Sequence, residues 1–165
     1  MQTDIPHGAY ESPAIRVEPE WIDANGHMNV AFYLRVFDLA GDAIFDKIGL
    51  GWSYVQEGKG MTFALENRIR FVREVFAGNP LVVKGFILDL SEKLIHFTWQ
   101  MYQAEKGYLA AASESISAHI DIQTRKTAPF PPALFARLQA IREAQRHLPR
   151  TEGFERPIGI RRRTD

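Results

Sequence analysis

The sequence has 165 residues, of which 45% are hydrophobic, and its 20 basic and 20 acidic side chains give a formal net charge of zero. A chain of this length forms one compact domain that buries roughly two-thirds of its unfolded surface. The zero net charge provides no field that recruits nucleic acid or an anionic membrane, so neither partner is expected. The absence of cysteine excludes disulfides, thiolate metal sites and a cysteine nucleophile, and it fits a cytoplasmic location.

The N-terminal segment MQTDIPHGAY has neither a basic start nor an apolar core. No apolar run approaches the roughly 20 residues that span a bilayer, so we expect neither a signal peptide nor a membrane span. Residues 1–13 are expected to form an N-terminal extension. The alternation of Ile15 and Val17 then predicts a first short strand over residues 14–17.

Catalytic-type side chains are concentrated in the segment DANGHMN at residues 23–29. Asp, Asn and Gly are also the usual residues of turns and helix N-caps, so the segment can be explained as a cap. A cap needs only one side-chain oxygen, however, and the segment supplies Asp23, Asn25 and Asn29 together with His27. Because a helix N-terminus offers unpaired backbone N–H groups, these residues predict a site that stabilises a developing negative charge.

An amphipathic helix is predicted to follow over residues 30–48, because apolar residues recur there every three or four positions. Gly41 lies within the apolar stripe, where it costs about 1 kcal/mol relative to alanine unless another element packs closely. We therefore expect a strand to cross the helix at Gly41. Gly49 and Gly51 end the helix.

Four strand patterns come next, joined by short turns, and they predict consecutive antiparallel hairpins over residues 63–71, 81–90, 94–103 and 108–122. In the first of them, Phe63 and Leu65 belong to an alternating set that is expected to face the core. In the third, we expect Phe97, Trp99 and Met101 on the outer face of the sheet. A second copy of the chain is then needed to cover these side chains.

A second helix is predicted from Pro131 and Pro132 to residue 148, and residues 149–165 have the composition of a tail. The order of elements defines an α+β domain over residues 14–148, in which a five-stranded antiparallel sheet wraps around the long helix. One helix covers only part of such a sheet. We therefore expect a homo-oligomer, either a dimer or a dimer of dimers.

The order of elements and the segment before the long helix resemble the hot-dog-fold thioesterases, in which a sheet wraps a central helix and two subunits form one continuous sheet. The resemblance covers residues 14–145 and is carried by VEPEWID at 17–23, NGHMN at 25–29 and, less specifically, IRFVRE at 69–74. In the 4-hydroxybenzoyl-CoA-like branch, the pattern matches Asp23, Gly26 and Tyr33, and the aspartate is the catalytic carboxylate. In the plant acyl-carrier-protein branch, the pattern DxNxH matches Asp23, Asn25 and His27.

The plant branch adds a glutamate followed by a cysteine, and the corresponding residues here look like Glu74 and Val75, which excludes a thiol mechanism. A closer likeness is to the thioesterase domain fused to carnitine dehydrogenases, through the WxDxNGHM block and the turn AGNPL at 77–81. That group is associated with betainyl-CoA, a cationic acyl thioester. The resemblance therefore implies hydrolysis of an acyl-CoA thioester, with coenzyme A as part of the substrate and no further cofactor.

The resemblance also suggests a role for each candidate residue. Asp23 is the general base or nucleophile, Asn25 orients the water or Asp23, and backbone N–H groups at Asn29 and Val30 polarise the carbonyl. His27 is either a structural residue or a proton-transfer partner. The expected substrate contacts are Tyr33, Glu66, Arg70 and Arg73, where Glu66 and Arg70 form either a wall of the site or a solvated strand face.

Several further residues are candidates by chemistry alone. Trp21, Trp52, Tyr54 and Glu66 are candidates to receive a cationic acyl group, and Lys126 and the triplet at 161–163 are candidates for the phosphates of coenzyme A. The histidines show no metal-ligand spacing, so no metal site is predicted. Two alternatives stay open, a hot-dog β-hydroxyacyl dehydratase and a non-catalytic acyl-CoA-binding module.

Overall fold

The computed structural model describes residues 7–152, 154–155 and 158. Its elements are β1 (Tyr10–Glu11), β2 (Ile15–Arg16), a 3-10 turn (Pro19–Trp21), α1 (Val30–Ile48), α2 (Trp52–Gln56), β3 (Met61–Phe71), β4 (Pro80–Leu90), β5 (Leu94–Gln103), β6 (Leu109–Ile120) and α3 (Pro132–Gln145). The strands form one antiparallel sheet in the order β1-β4-β5-β6-β3, and β2 also pairs with β4. The predicted α+β fold, a sheet wrapped around a long helix, is confirmed.

The sheet has six strands rather than the predicted five, because the N-terminal strand is divided in two. Pro13 lies between β1 and β2, and proline cannot donate a hydrogen bond to a sheet. Ser12 bridges the gap, since its N–H donates to the Val83 carbonyl oxygen at 2.9 Å and its Oγ accepts from the Val83 N–H at 3.1 Å. Residues 10–11 of the expected extension therefore join the sheet, while the domain limits 14–148 stay a prediction.

Helix α1 has the predicted bounds, and its ends show why. The Asn29 side chain caps the first turn by accepting from the Ala31 N–H at 3.0 Å, and Gly49 ends the helix in the left-handed region at φ 91°. Its buried face includes Val36, Ala40 and Ile44. A β-carbon on Gly41 of this helix would lie 3.6 Å from the Trp99 ring, so a strand does cross the helix there.

The placement of Phe97, Trp99 and Met101 on the outer face was wrong. They are only 1%, 5% and 0% exposed and lie on the inner face of β5, under α1. The rings of Phe97 and Trp99 both have their centroids 5.8 Å from the centroid of Phe45 on α1. Alternation along a strand shows which residues share a face, but it does not show which face meets the helix.

The prediction that one face of β3 is buried was also wrong for this single chain. Phe63 and Leu65 are 37% and 60% exposed. Among the described residues, β3 pairs only with β6 and is an edge strand. A bulge between Ala64 and Glu66 shifts the alternation of its side chains. The edge of the sheet at β3 is therefore both unpaired and rich in apolar groups.

Helix α3 packs on β4 through the fully buried side chains of Leu138 and Ile141. Near its end, the Gln145 side chain accepts from the Ile87 N–H at 3.1 Å, next to the bulge between Ile87 and Asp89 in β4. The short helix α2 was not predicted. In the described part of the chain, no helix is both long enough and apolar enough to cross a membrane.

Candidate active site

Residues 22–29 form a tight turn that leads into α1. Ile22 pairs with Met28 in an isolated antiparallel bridge, and inside it the Asp23 N–H donates to the His27 carbonyl oxygen at 3.2 Å. The Gly26 N–H donates to the Asp23 carbonyl oxygen at 2.9 Å, and Gly26 has a φ of 82° that disfavours other residues. The turn fixes the backbone of Asp23 immediately beside the start of the helix.

The Asp23 carboxylate accepts a hydrogen bond at each oxygen. The Asn25 N–H donates to Oδ1 at 2.8 Å, and Asn29 Nδ2 donates to Oδ2 at 3.1 Å. The hydrogen bond from the Asn25 backbone is the main reason why the pKa of Asp23 is lowered, and it outweighs the opposing effect of desolvation. The Asn29 hydrogen bond and the nearby His27 lower this pKa further, so Asp23 is ionised at neutral pH.

Asn29 joins the turn to the helix through both its backbone N–H and its side-chain amide. Its N–H donates to the Trp21 carbonyl oxygen at 2.8 Å, and its side chain both caps Ala31 and holds Asp23. Within the described residues, no hydrogen bond uses the N–H of Val30. This N–H lies at the positive end of the α1 dipole, where it can bind an oxygen that becomes negative.

An apolar cleft of about 340 Å³ lies beside this helix start. It is lined by His27, Met28, Val30, Tyr33, Phe71, Val72, Arg73 and Glu74. The Tyr33 ring meets the Phe71 ring edge-on at 5.0 Å, and burial raises the pKa of the Tyr33 hydroxyl. The connection between β3 and β4 is held against the turn, because the Met28 N–H donates to the Val75 carbonyl oxygen at 2.9 Å.

His27 contacts the turn through one ring nitrogen. Its Nδ1 lies 3.3 Å from the Met28 carbonyl oxygen, which requires a proton on Nδ1 if the two are to form a hydrogen bond. In a neutral ring, Nε2 is then the nitrogen that can accept a proton. The side chain is partly buried and lines the cleft.

The structure brings most of the predicted site residues together. His27, Val30, Tyr33 and Arg73 line the cleft, and Asp23, Asn25 and Asn29 form the adjoining turn. The Arg73 guanidinium lies over the Tyr108 ring, 4.3 Å from its centroid. Glu74, whose role the sequence left in doubt, also lines the cleft.

Glu66 and Arg70 lie elsewhere on β3. The Arg70 guanidinium donates to the Glu152 carbonyl oxygen and lies 5.9 Å from the ring centroid of Phe154, so it holds the segment after α3. Glu66 is exposed opposite Ile116 of β6. Neither residue lines the cleft.

The other described candidates by chemistry do not line the cleft either, namely Trp21, Trp52, Tyr54 and Lys126. The Trp21 ring stacks on Phe32 at 5.4 Å, and the Tyr54 hydroxyl lies 2.9 Å from His119 Nε2. Residues 161–163 are outside the described residues. Over residues 7–152, 154–155 and 158, no group of three or more His, Cys, Asp or Glu side chains could hold a metal ion.

A second cavity, of about 260 Å³, lies between α1 and the strands β3, β5 and β6. It is lined by Leu34, Phe37, Asp38, Gly41, Asp42, Phe45, Thr62, Ala64, Asn67, Trp99, Ser115 and Ser117. The sequence analysis did not find this cavity. Its signal was the position of Asp38 and Asp42 one turn apart on α1, beside the apolar stripe.

Comparisons with known proteins agree with this geometry. A family model for the thioesterase-like superfamily matches residues 17–138. The chain is 36% identical over 151 residues to the betainyl-CoA thioesterase of Pseudomonas aeruginosa PAO1. These residues cover 92% of this chain and 93% of that protein. It is also 32% identical over 147 residues to the L-carnitine dehydrogenase/betainyl-CoA thioesterase of Rhizobium meliloti strain 1021. Here the match covers 89% of this chain and 29% of that protein.

Solved structures show the same fold. A Staphylococcus aureus protein in complex with CoA superposes with a TM-score of 0.82 at 23% sequence identity. The match covers 93% of this chain and 97% of that protein. The resemblance inferred from the residues is thereby confirmed.

Proposed function

The chain belongs to the thioesterase-like superfamily and hydrolyses acyl-CoA thioesters, and from this premise we propose that Asp23 is the carboxylate that drives the hydrolysis. The observation that supports this proposal is that three features of a hydrolytic site lie together at the start of α1. An ionised carboxylate in the turn before α1, the Val30 N–H, which no hydrogen bond among the described residues uses, and an apolar cleft lie beside one another there.

In the proposed mechanism, the thioester carbonyl oxygen accepts a hydrogen bond from the Val30 N–H. The helix dipole then stabilises the negative charge that forms on this oxygen. Asp23 either takes a proton from the attacking water or attacks the carbonyl carbon itself and forms an anhydride that water hydrolyses. In both routes a carbon–oxygen bond forms, the carbon–sulfur bond breaks, and coenzyme A leaves as a thiolate that is then protonated.

The hydrogen bonds around Asp23 support this role. Asn25 and Asn29 each occupy one carboxylate oxygen, and each oxygen keeps a lone pair for water or for the thioester carbon. A single turnover in ¹⁸O-labelled water separates the two routes. With Asp23 as base, the product acid carries the label after the first turnover. With Asp23 as nucleophile and water attacking the Asp23 carboxyl carbon of the anhydride, the first product acid takes its new oxygen from the protein and the label enters Asp23.

We propose a short cationic acyl group, betainyl, as the substrate, because the similarity to a betainyl-CoA thioesterase extends over nearly the whole chain. The apolar cleft receives the thioester and the adjoining arm of coenzyme A, and Arg73 on its wall faces the more polar part of that arm. No cofactor besides the coenzyme A of the substrate takes part. The absence of cysteine fits a cytoplasmic enzyme.

We also propose a homodimer that pairs the β3 edges of two copies. The unpaired backbone of this edge and the exposed Phe63 and Leu65 are the features that proteins normally cover. Light scattering coupled to size-exclusion chromatography gives the mass directly, and a monomer at micromolar concentration would contradict the pairing.

The function is tested by incubating the purified chain with betainyl-CoA, acetyl-CoA, 3-hydroxybutyryl-CoA and an acyl-carrier-protein ester. We expect release of free thiol, with the highest kcat/KM for betainyl-CoA. Loss of water from 3-hydroxybutyryl-CoA without thiol release would identify a dehydratase instead. Tight binding that leaves every thioester intact would identify a binding module.

A further inference from the structure

The second cavity has the lining of a receptor for a small organic cation. Its volume of about 260 Å³ is below the roughly 300–1,000 Å³ of sites for drug-sized ligands, so it suits a small group. Trp99 and Phe45 provide aromatic walls, with ring centroids 5.8 Å apart. Asp38 and Asp42 of α1 provide the charge.

Within the described part of the chain, the negative charge of this cavity has no basic partner. No Lys, Arg or His side chain lines it, and across the described residues neither Asp38 nor Asp42 forms an ion pair. Both carboxylates are exposed in the single chain. Partial desolvation is nevertheless the main cause that raises the pKa of Asp42, followed by the charge of Asp38, while a hydrogen bond with the Trp52 side chain lowers it. Two carboxylates that repel one another beside aromatic rings are stabilised when a cation binds between them.

Ser117 gives an independent indication of a ligand. Its side chain is on the cavity wall, and the residue is 8% exposed. The neighbouring Ser115 Oγ accepts from Trp99 Nε1 at 2.9 Å, but the Ser117 hydroxyl makes no hydrogen bond to any residue in the described part of the chain. The Ser117 oxygen therefore keeps its hydrogen-bonding capacity for a polar or polarised group that enters the cavity.

We propose that this cavity binds the quaternary ammonium group of a cationic acyl chain. Asp42 and Asp38 act as its counter-charges, and Trp99 and Phe45 provide faces for cation–π contacts. The inference rests on the thioesterase function proposed above, and it assigns the preference for a cationic substrate to these specificity-determining residues.

The length of α1 determines which copy of Asp23 this receptor serves. Asp42 follows the N-cap Asn29 by thirteen residues, which is about 20 Å along a helix that rises 1.5 Å per residue. In a betainyl group, a single carbon separates the ammonium nitrogen from the carbonyl carbon. The receptor is therefore too far along the helix to serve the Asp23 of its own chain. In the homodimer proposed above, it is the Asp23 of the second copy that would hold the acyl group.

The position of the cavity agrees with a shared site. Thr62 and Ala64 of β3 form part of its wall, and β3 is the edge at which we propose that the second copy pairs. The complete site therefore combines Asp23 and the Val30 N–H of one copy with Asp38, Asp42 and Trp99 of the other.

The test compares betainyl-CoA with 3,3-dimethylbutyryl-CoA, in which a carbon replaces the ammonium nitrogen without a change of shape. We expect Asp42→Asn to lower kcat/KM for betainyl-CoA by about 10- to 100-fold, as the loss of a charge-assisted contact does. The same variant should change kcat/KM for the neutral ester less than about twofold, since it loses no cation contact there. Asp46→Asn is the matched control, because Asp46 is an exposed carboxylate of α1 like Asp42 but does not line the cavity.

Three outcomes separate the receptor from the function on which it rests. Equal losses on both esters, or no loss on either, would overturn the receptor and leave the thioesterase intact. Equal losses with Asp46→Asn and Asp42→Asn would also overturn it. If the wild type releases thiol from no ester, the proposed function fails and the receptor fails with it.

A mixed oligomer tests the sharing. Asp23→Asn and Asp42→Asn chains are co-expressed with different tags, and the mixed species is purified through both tags. A shared site leaves one site of the mixed dimer with both native residues, so about half of the wild-type activity per dimer is expected. If both residues of a site come from one chain, both sites of the mixed dimer carry a substitution, and activity no higher than that of the two parent variants would overturn the sharing.

Discussion

The Asn29 side chain both caps α1 and holds the Asp23 carboxylate, and two substitutions distinguish its effect on stability from its effect on catalysis. Its Oδ1 accepts from the Ala31 N–H at 3.0 Å and caps α1, and its Nδ2 donates to Asp23 Oδ2 at 3.1 Å. Asn29→Ser keeps a capping oxygen and removes the donor. Asn29→Ala removes both groups.

The stabilities of the two variants should differ by the cap alone. Replacing an N-cap asparagine with alanine costs about 1 kcal/mol, whereas serine caps about as well as asparagine. For a chain of this size, about 1 kcal/mol lowers Tm by about 2–4 °C. Thermal unfolding followed by circular dichroism should show this fall for Asn29→Ala and a nearly unchanged Tm for Asn29→Ser.

Activity should fall in both variants. The Asn29 hydrogen bond favours the ionised form of Asp23, so its removal raises the Asp23 pKa towards its ordinary value. Hydrolysis needs the ionised carboxylate and is lost as pH falls through this pKa, so the acid limb of kcat/KM moves to higher pH. At pH 7, kcat should fall by about tenfold as Asp23 loses its fixed orientation, with KM little changed.

Thiol release from betainyl-CoA between about pH 2.5 and pH 8 measures both effects, because the wild-type acid limb lies below the ordinary aspartate pKa of 3.8. If Asn29→Ser keeps the wild-type kcat and the wild-type acid limb, the contact between Asn29 and Asp23 has no part in the reaction. If Asn29→Ser loses as much stability as Asn29→Ala, the explanation of the cap is wrong.

Two further predictions concern the sheet. Gly85→Ala in β4 should lower the free energy of unfolding by about 1–3 kcal/mol through overpacking, because its β-carbon would lie 2.7 Å from the Phe97 ring and 2.8 Å from the Trp99 ring. Unfolding in urea measures this cost. The control is Gly8→Ala, whose β-carbon meets nothing within 4 Å, and equal stabilities of the two variants would contradict the prediction. Leu65→Lys should convert the proposed dimer into a monomer, because it places a charge on the β3 edge that is expected to pair. Light scattering measures the molecular mass of the variant. A mass equal to that of the wild type would show that the β3 edge is not the interface.

Local patterns in the sequence were sufficient for α1 and for the turn before it. Both ends of α1 are defined by adjacent residues, the Asn29 cap and the left-handed Gly49. The close approach at Gly41 followed from one unfavourable residue in an apolar stripe, although the sequence could not identify Trp99 as the partner. Signals of this kind act over a few residues and can be recognised without knowledge of the fold.

Features that depend on distant contacts were not predictable in the same way. The inner position of Trp99 depends on which sheet face meets α1, and the exposure of Leu65 depends on β3 being an edge strand. The five residues of α2 are too few to show a helical period, and its N-cap Gly51 provides no side-chain oxygen. The two residues of β1, Tyr10 and Glu11, lie in the segment expected to be an extension, because two residues are too few to show a strand alternation.

In the candidate site, too, residues that are neighbours in the sequence were predictable and distant residues were not. Asp23, Asn25, His27 and Asn29 were found because they lie together in the sequence, and the folded chain keeps them together. The roles of distant residues could not be inferred from chemistry alone. Arg70 has the charge that a phosphate site needs, but its guanidinium is held by the segment after α3.

The most direct test of the central claim is thiol release from betainyl-CoA by Asp23→Asn. Asp121→Asn is the matched control, because Asp121 is also a carboxylate whose pKa is lowered by a backbone hydrogen bond, here from Thr124, and it lies in a turn outside the site. We predict that Asp23→Asn lowers kcat by about 10²- to 10⁴-fold with Tm nearly unchanged, and that Asp121→Asn keeps the wild-type kcat. An Asp23→Asn variant that is folded and as active as the wild type on every hydrolysed ester would contradict the assignment of Asp23 as the catalytic carboxylate.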